Sequence, residues 1–200
     1  MLSFRNQLET EVSVLELHEL EVQAPRPEFD VEVREAEESV RKGLAAGTGP
    51  ARLLYRRFGV DPTRHRPSSE ALLRRVRRGE GLPRINSLVD VANLMSLRLQ
   101  VPVGLYDLDR VEGGELTLRL GAAGESYAGI GKEQVSVAGR LCVADAGGPC
   151  GNPSADSART MITVATQRAA WIYFLAVEEG ALSATAELIA RFGRGLMRVP

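Results

Sequence analysis

Two side chains able to do chemistry stand inside a strongly apolar run, Asp90 and Asn93 in PRINSLVDVANLMSLRLQVP. They lie three apart, which puts them on neighbouring turns of one helix face. Burying either without partners is costly. Two roles fit them: Asp90 braces a neighbouring loop while Asn93 satisfies backbone groups, or both line a polar cleft in an apolar domain. Chemistry alone favours bracing. A second candidate region is DAGGPCGNPSADSART at 145–160, whose Gly, Pro, Asn and Ser content is turn chemistry. A long irregular connection in a compact domain is often functional. Backbone N–H groups near Gly147, Gly148 and Gly151 are placed to meet an anion or a carbonyl oxygen, and Asp156, Ser157, Arg159 and Thr160 offer side chains at the exit. The plainer alternative is a loop held by its own hydrogen bonds, with Asp156 capping and Arg159 paired to it.

A third cluster is cationic. Residues 1–50 carry eleven acidic and five basic side chains, whereas residues 51–84 carry ten arginines against Asp61, Glu70 and Glu80. The net charge of −1 therefore hides a local basic patch. On a helical wheel Arg74, Arg75, Arg77 and Arg78 fall opposite Leu72, Leu73 and Val76. A solvated helix face is the usual fate of such a run. Their mutual repulsion calls for a compensating contact, and phosphates would supply one through charge-assisted hydrogen bonds. No aromatic residues interleave them, so a stacking platform for single strands is not indicated.

These residues need elements to hold them. Apolar residues at 88, 91, 92, 95 and 99 have helical spacing, and Val89, Leu94 and Leu97 widen the stripe until the helix is buried on nearly all sides. Ser87 is the expected N-cap. Pro102 stops the helix, and 103–106 reads as a strand. Upstream, Val33, Ala36, Val40 and Leu44 mark a helix whose exposed side is supported by the pairs Glu37–Arg41 and Glu38–Lys42. Another begins near Pro50, turns Leu53, Leu54 and Phe58 inward and ends at Gly59. Ser68 or Ser69 is expected to cap the arginine helix. Strands are expected in 1–30 (VSVLEL, LEV), at 116–120, 135–137 and 141–143, and in the second half of 163–177, where Trp171, Tyr173 and Phe174 are core. Ser183 is expected to cap a last helix with Ala184, Leu188, Ile189 and Phe192 inward, closed by Gly193. GIGK at 129–132 is not a phosphate loop, because the upstream glycine is missing and Glu133 stands where Ser or Thr is needed.

Composition sets outer bounds. Two hundred residues, 44% hydrophobic and 26% charged, suit one soluble globular domain, with neither repeat nor linker. No apolar run approaches the ~20 residues that span a bilayer, so no membrane partner is expected. Glu9 and Glu11 fall where a signal peptide needs an apolar core, so the expected location is cytoplasmic. Cys142 and Cys150 are too few for a metal site, with His18 and His65 far off in sequence; two free thiols are expected, although a bridge is geometrically allowed. No metal or cofactor is expected.

The run from PRINSLVDVANL to VPVGLYDLD resembles the B3/B4 domain of the phenylalanine–tRNA synthetase beta chain, and free-standing proteins made of that domain alone. SSEALLRRVRRGEGLP at 68–83, GESYAGIG at 124–131 and NPSADSARTMITVATQR at 152–168 carry the resemblance across most of 50–170. It implies an α+β fold, a single domain over 1–200 built as a β-sandwich of mixed sheets with helices packed outside. It also implies an editing function, the hydrolysis of wrongly made aminoacyl-tRNA. Asn93 falls on an asparagine that lines the synthetase's pocket. The pocket histidine falls on Gly104, and the pocket glutamate aligns best with Ile172, so both are lost. Glu125, Asp90 and Asp156 are candidate replacements able to take a proton or orient water, with His65 a weaker one. Gly104, Gly148, Gly151, Arg159 and Thr160 join Asn93 as the expected substrate-binding set, and Arg74, Arg75, Arg77 and Arg78 as the RNA-binding set. Two readings follow: a trans-acting deacylase whose partner is tRNA or aminoacyl-tRNA, or a non-catalytic module holding RNA or an amino acid-like molecule. The chain lacks the length and ATP-handling motifs expected of a complete synthetase.

Overall fold

Period-two alternation in a few strands sets the frame. In the computed structural model, residues 2–198 are described, and of Lys132 only the backbone. The chain opens with β1 (Ser3–Asn6) and β2 (Ser13–His18). Helices α1 (Asp30–Arg41), α2 (Gly49–Arg57), α3 (Ser68–Arg77) and α4 (Ser87–Leu99) follow. Next come β3 (Val103–Asp107), β4 (Glu115–Leu120), the hairpin of β5 (Ser126–Gly129) and β6 (Lys132–Ser136), and β7 (Leu141–Asp145). The chain closes through β8 (Gly148–Asn152), β9 (Ala155–Asp156), β10 (Ala169–Tyr173), α5 (Glu179–Leu188) and β11 (Leu196–Arg198).

One sheet runs β1-β4-β7-β8-β9 and another β11-β2-β10-β3. The β1–β4 pair is parallel and the remaining ladders of these two sheets are antiparallel, so the set is mixed. Successive residues of β10 point to opposite faces. Ala170, Ile172 and Phe174 enter the core between the two sheets, with Leu116, Leu118 and Val143. Ala169, Trp171 and Tyr173 enter a second core under the helices, with Leu88, Val91, Leu94 and Met95 of α4. The fold is α+β, a two-sheet sandwich with a helical layer outside, as the resemblance implied. Among the described residues no helix is long and apolar enough to cross a membrane.

The long central helix starts on Asn86, whose side chain accepts from the Val89 N–H at 2.9 Å. The expected cap, Ser87, is inside the helix, and its hydroxyl accepts from the Gln23 N–H instead. Ser96 and Gln100 bond to the carbonyls of Val101 and Leu97, closing the helix end, with Gln100 left-handed at φ 54°.

Other expectations fail at element edges. Neither Ser68 nor Ser69 caps α3, which follows Pro67 with no side-chain cap. Ser183 is exposed inside α5, which starts after Glu178 and passes into a wider turn over Ile189–Gly193. Leu44 and Leu53 are exposed, because α1 ends at Arg41 and α2 turns Leu54 and Tyr55 inward. Leu20 and Val22 are buried without forming a strand. The expected irregular stretch 145–160 is largely sheet: β8 and β9 extend the ladder from β7, so its glycines and prolines serve tight turns and a bulge. GIGK forms the β5–β6 turn.

Candidate functional site

Where α3, α4, β3 and the β8–β9 turn meet, a cavity of about 510 Å³ opens. Its walls are mostly apolar, including Leu72, Val89, Ala92, Val103, Leu105 and Met161, with exposed Ile85 and Ile130 among the lining residues. The polar lining comes from Ser68, Asn93, Ser96, Asn152, Ser154 and Asp156. Several of these are already occupied. Ser96 bonds to Val101, Asn152 Oδ1 accepts from the N–H groups of Ser154 and Ala155, and Ser154 Oγ meets Tyr55 Oη and the Arg66 carbonyl.

Three groups remain for a ligand. The Asn93 carboxamide makes no hydrogen bond among the described residues and is half-buried on the cavity side of α4. The Ser68 hydroxyl is buried without a hydrogen-bond partner among the described residues. Asp156 opens partly to the cavity but is enclosed by protein, and that burial pushes its carboxyl up to about 7, against a smaller opposing pull from the Leu105 N–H. An apolar cleft with an amide, a hydroxyl and a carboxyl that titrates near neutrality is able to bind a polar-headed organic molecule and to move a proton.

The remaining sequence candidates lie elsewhere. Asp90 is the brace: Oδ1 accepts from the Ile85 N–H at 2.7 Å and Oδ2 from Arg84 Nε at 2.7 Å. Arg84 also bonds to Asp30 and to the Arg26 carbonyl and lies over the Phe29 ring, so Asp90 anchors the entry to α4. Glu125 is held by a two-pronged contact with Arg119 at 2.6 and 2.8 Å, which with the Ala122 N–H keeps its carboxyl below the usual range despite some desolvation. Arg159 grips Asp145 at 2.7 and 2.8 Å, not Asp156. Thr160 is buried, its hydroxyl directed to the Cys150 carbonyl, and Gly148 is the first residue of β8, at φ 106°. His65 lies in a different cleft beside Arg140.

Gly104 answers a separate question, what fills the space beside it. Val103 and Leu105 line the cavity, so the strand's alternation sends Gly104 to the opposite face. Gly104 pairs across the ladder with Ile172, and both belong to the inter-sheet side. A Cβ on Gly104 would meet Tyr106 Oη at 2.6 Å and Phe174 at 3.1 Å; one on Gly151 would meet Tyr106 Oη at 2.5 Å. The Tyr106 phenol thus occupies the gap between the two glycines. It is fully buried, and its hydroxyl has no hydrogen-bond partner among the described residues. Burial, then the charges of Asp156 and Cys150, push it well above its ordinary value. In the sequence Tyr106 reads as an ordinary strand residue, and nothing in its spacing marks the two glycines as its slot. Ser68 was equally hidden, since it looked like a cap.

On α3, Ser68, Ala71 and Leu72 line the cavity, and the arginines continue along the same helix away from it. Arg75 and Arg78 are tied to Glu80 at 3.1 and 2.6 Å. Arg74 and Arg77 are exposed and make no ion pair among the described residues. Cys142 and Cys150 are buried free thiols, both pushed up by burial, Cys142 to about 11. No cluster of His, Cys, Asp and Glu among the described residues is arranged to hold a metal.

Comparison with known proteins adds a family. No curated protein matches the chain significantly. A crystal structure of an N-terminal fragment of the phenylalanyl-tRNA synthetase beta-subunit from Pyrococcus horikoshii is similar over 98% of this chain and 50% of that one, at 12% identity and a TM-score of 0.49. This chain therefore spans half the length of that fragment. The profile of the B3/4 domain matches residues 51–196, a span that contains α3, α4, β3 and the β8–β9 turn, and so the whole wall of the Asn93–Asp156 cavity. The chain belongs to the B3/4 domain family.

Proposed function

We propose that this protein binds aminoacyl-tRNA and hydrolyses the ester of a wrongly attached amino acid, with the Asn93–Asp156 cavity as the site. The observation that carries the reading is the convergence of an unengaged carboxamide and a carboxyl poised near pH 7 on one apolar cavity. The amino acid side chain enters the apolar part, and Asn93 Nδ2–H donates to the ester carbonyl or to a neighbouring oxygen. Ionised Asp156 takes a proton from water as the water oxygen attacks the ester carbon. The C–O bond to the ribose breaks, and Asp156 returns the proton to the departing ribose oxygen. Free amino acid and intact tRNA are the products. The ester is already activated, so orientation and one base suffice, the base alone contributing ~10²–10⁴-fold. Arg74 and Arg77 lie further along the helix that supplies Ser68, Ala71 and Leu72 to the cavity, so they are available to phosphates of the same tRNA.

A panel of misacylated tRNAs tests this. Expected is release of at least one amino acid faster than in buffer, slowed by Asn93→Ala and Asp156→Asn. Absence of release across the panel at high protein concentration overturns the catalytic reading. Binding without hydrolysis, of RNA or of an amino acid-like molecule, has its own support: the positions aligned with the synthetase's pocket histidine and glutamate are Gly104 and Ile172, and Tyr106 fills the space between Gly104 and Gly151. That reading expects retained tRNA or amino acid binding with no deacylation.

A further inference from the structure

A second cleft, of about 310 Å³, shares Ala71 and the 152–155 turn with the first cavity but differs from it in charge. Its floor is apolar, made by Leu54, Phe58 and Leu141 among others. Arg64, Arg66, Arg140 and His65 also line it, and no carboxylate among the described residues does. Such a volume is at the lower end of those that hold small ligands.

The cations are unequally committed. Arg64 is mostly exposed and 3.8 Å from Asp61. Arg66 is 3.6 Å from Glu70, and its buried Nε makes no hydrogen bond among the described residues. Glu70 is also gripped by Arg52 through two 2.7 Å bonds, so Arg66 shares that carboxylate. Arg140 has no ion pair among the described residues; its Nη1 donates to His65 Nδ1 and to the Ser136 carbonyl, each at 3.3 Å. Arginine only donates, so Nδ1 must accept, and the imidazole proton sits on Nε2. Burial and the Arg140 charge hold His65 below its ordinary value, consistent with that neutral form. The cleft therefore presents a guanidinium edge of Arg140 and the neutral His65 ring beside an apolar floor.

We propose that this second cleft binds a small anion with a flat apolar body, a carboxylate or phosphate monoester, with Arg140 gripping the head and Phe58 and Leu54 covering the body. Guanidinium forks match both kinds of head group, and the floor favours anions that carry an apolar body. The site is independent of the deacylation reading, which uses no residue of this cluster.

Calorimetric titration of the full chain with phenyl phosphate and 3-phenylpropionate tests the proposal, with inorganic phosphate and phenol as head-only and body-only controls. One or both of the two-part probes should bind at about 1 mM or tighter, and each control at least about tenfold more weakly. Arg140→Gln should weaken binding by about tenfold or more, while Asn93→Ala leaves it unchanged. His65→Ala serves as the second variant should Arg140→Gln fail to fold, and it too should weaken binding. No binding of either probe at several millimolar overturns the proposal. So does phenol binding as well as phenyl phosphate, or a loss caused by Asn93→Ala and by neither cleft variant.

Discussion

Asp156 has its proton affinity set by enclosure, and that has a signed consequence for stability. Its carboxyl is raised from 3.8 to about 7, so between those values the folded chain holds a proton that the unfolded chain has released. Its contribution to stability therefore falls as pH rises through that window and is least favourable above pH 7. Asp156→Asn, which keeps the neutral shape, should leave stability unchanged below pH 4 and raise Tm at pH 8 by at least ~2–4 °C, the shift for about 1 kcal/mol in a chain of this size. A lower Tm for the variant at pH 8 would contradict the assigned environment. Tyr106 makes a second residue-scale test. Its orphaned hydroxyl costs about 1–3 kcal/mol of desolvation, so Tyr106→Phe should be neutral or stabilising by urea titration. Gly151→Ala, whose Cβ lands 2.5 Å from that hydroxyl and 2.7 Å from the ring, should destabilise by about 1–3 kcal/mol.

Elements were legible where periodicity was strong. The α4 stripe was readable because thirteen residues repeat one pattern, and the β10 core because β-branched and aromatic residues run together. Edges were less readable, since Asn86, Ser87, Ser68 and Ser183 all have cap chemistry and only tertiary contact decides which uses it. Asn86→Ala should cost about 1 kcal/mol, whereas Ser87→Ala removes a different bond, to Gln23, and should leave the helix start intact by amide exchange at Val89. The 145–160 stretch looks irregular in sequence because turn residues dominate its composition, while the β7 ladder supplies the partner that makes it sheet. Asp156 is thus on a strand, which fixes it against Leu105, and is not at the exit of a loop.

Over the whole molecule, charge segregation survives folding only in part. Glu80 takes up Arg75 and Arg78, and Glu70 takes up Arg52, leaving Arg74 and Arg77 as open cations on the helix that borders the cavity. On the proposed function, tRNA binding should weaken steeply with salt, and Arg74→Ala with Arg77→Ala should lower the slope of log K against log[salt] by about 2 at most. A flat salt dependence would point to a small molecule or a protein in place of RNA. Composition exposed the basic segment but not which arginines are spent internally, because pairing depends on where Glu70 and Glu80 come to rest. The two clefts were not legible, since each is assembled from segments far apart in sequence. The most direct test of the central claim is the single-turnover deacylation rate of a misacylated tRNA, buffer rate subtracted, across pH 5.5–8.5. The proposed mechanism predicts a rise of about tenfold per unit that levels near pH 7 and disappears in Asp156→Asn. A rate that keeps the same profile in that variant would contradict it.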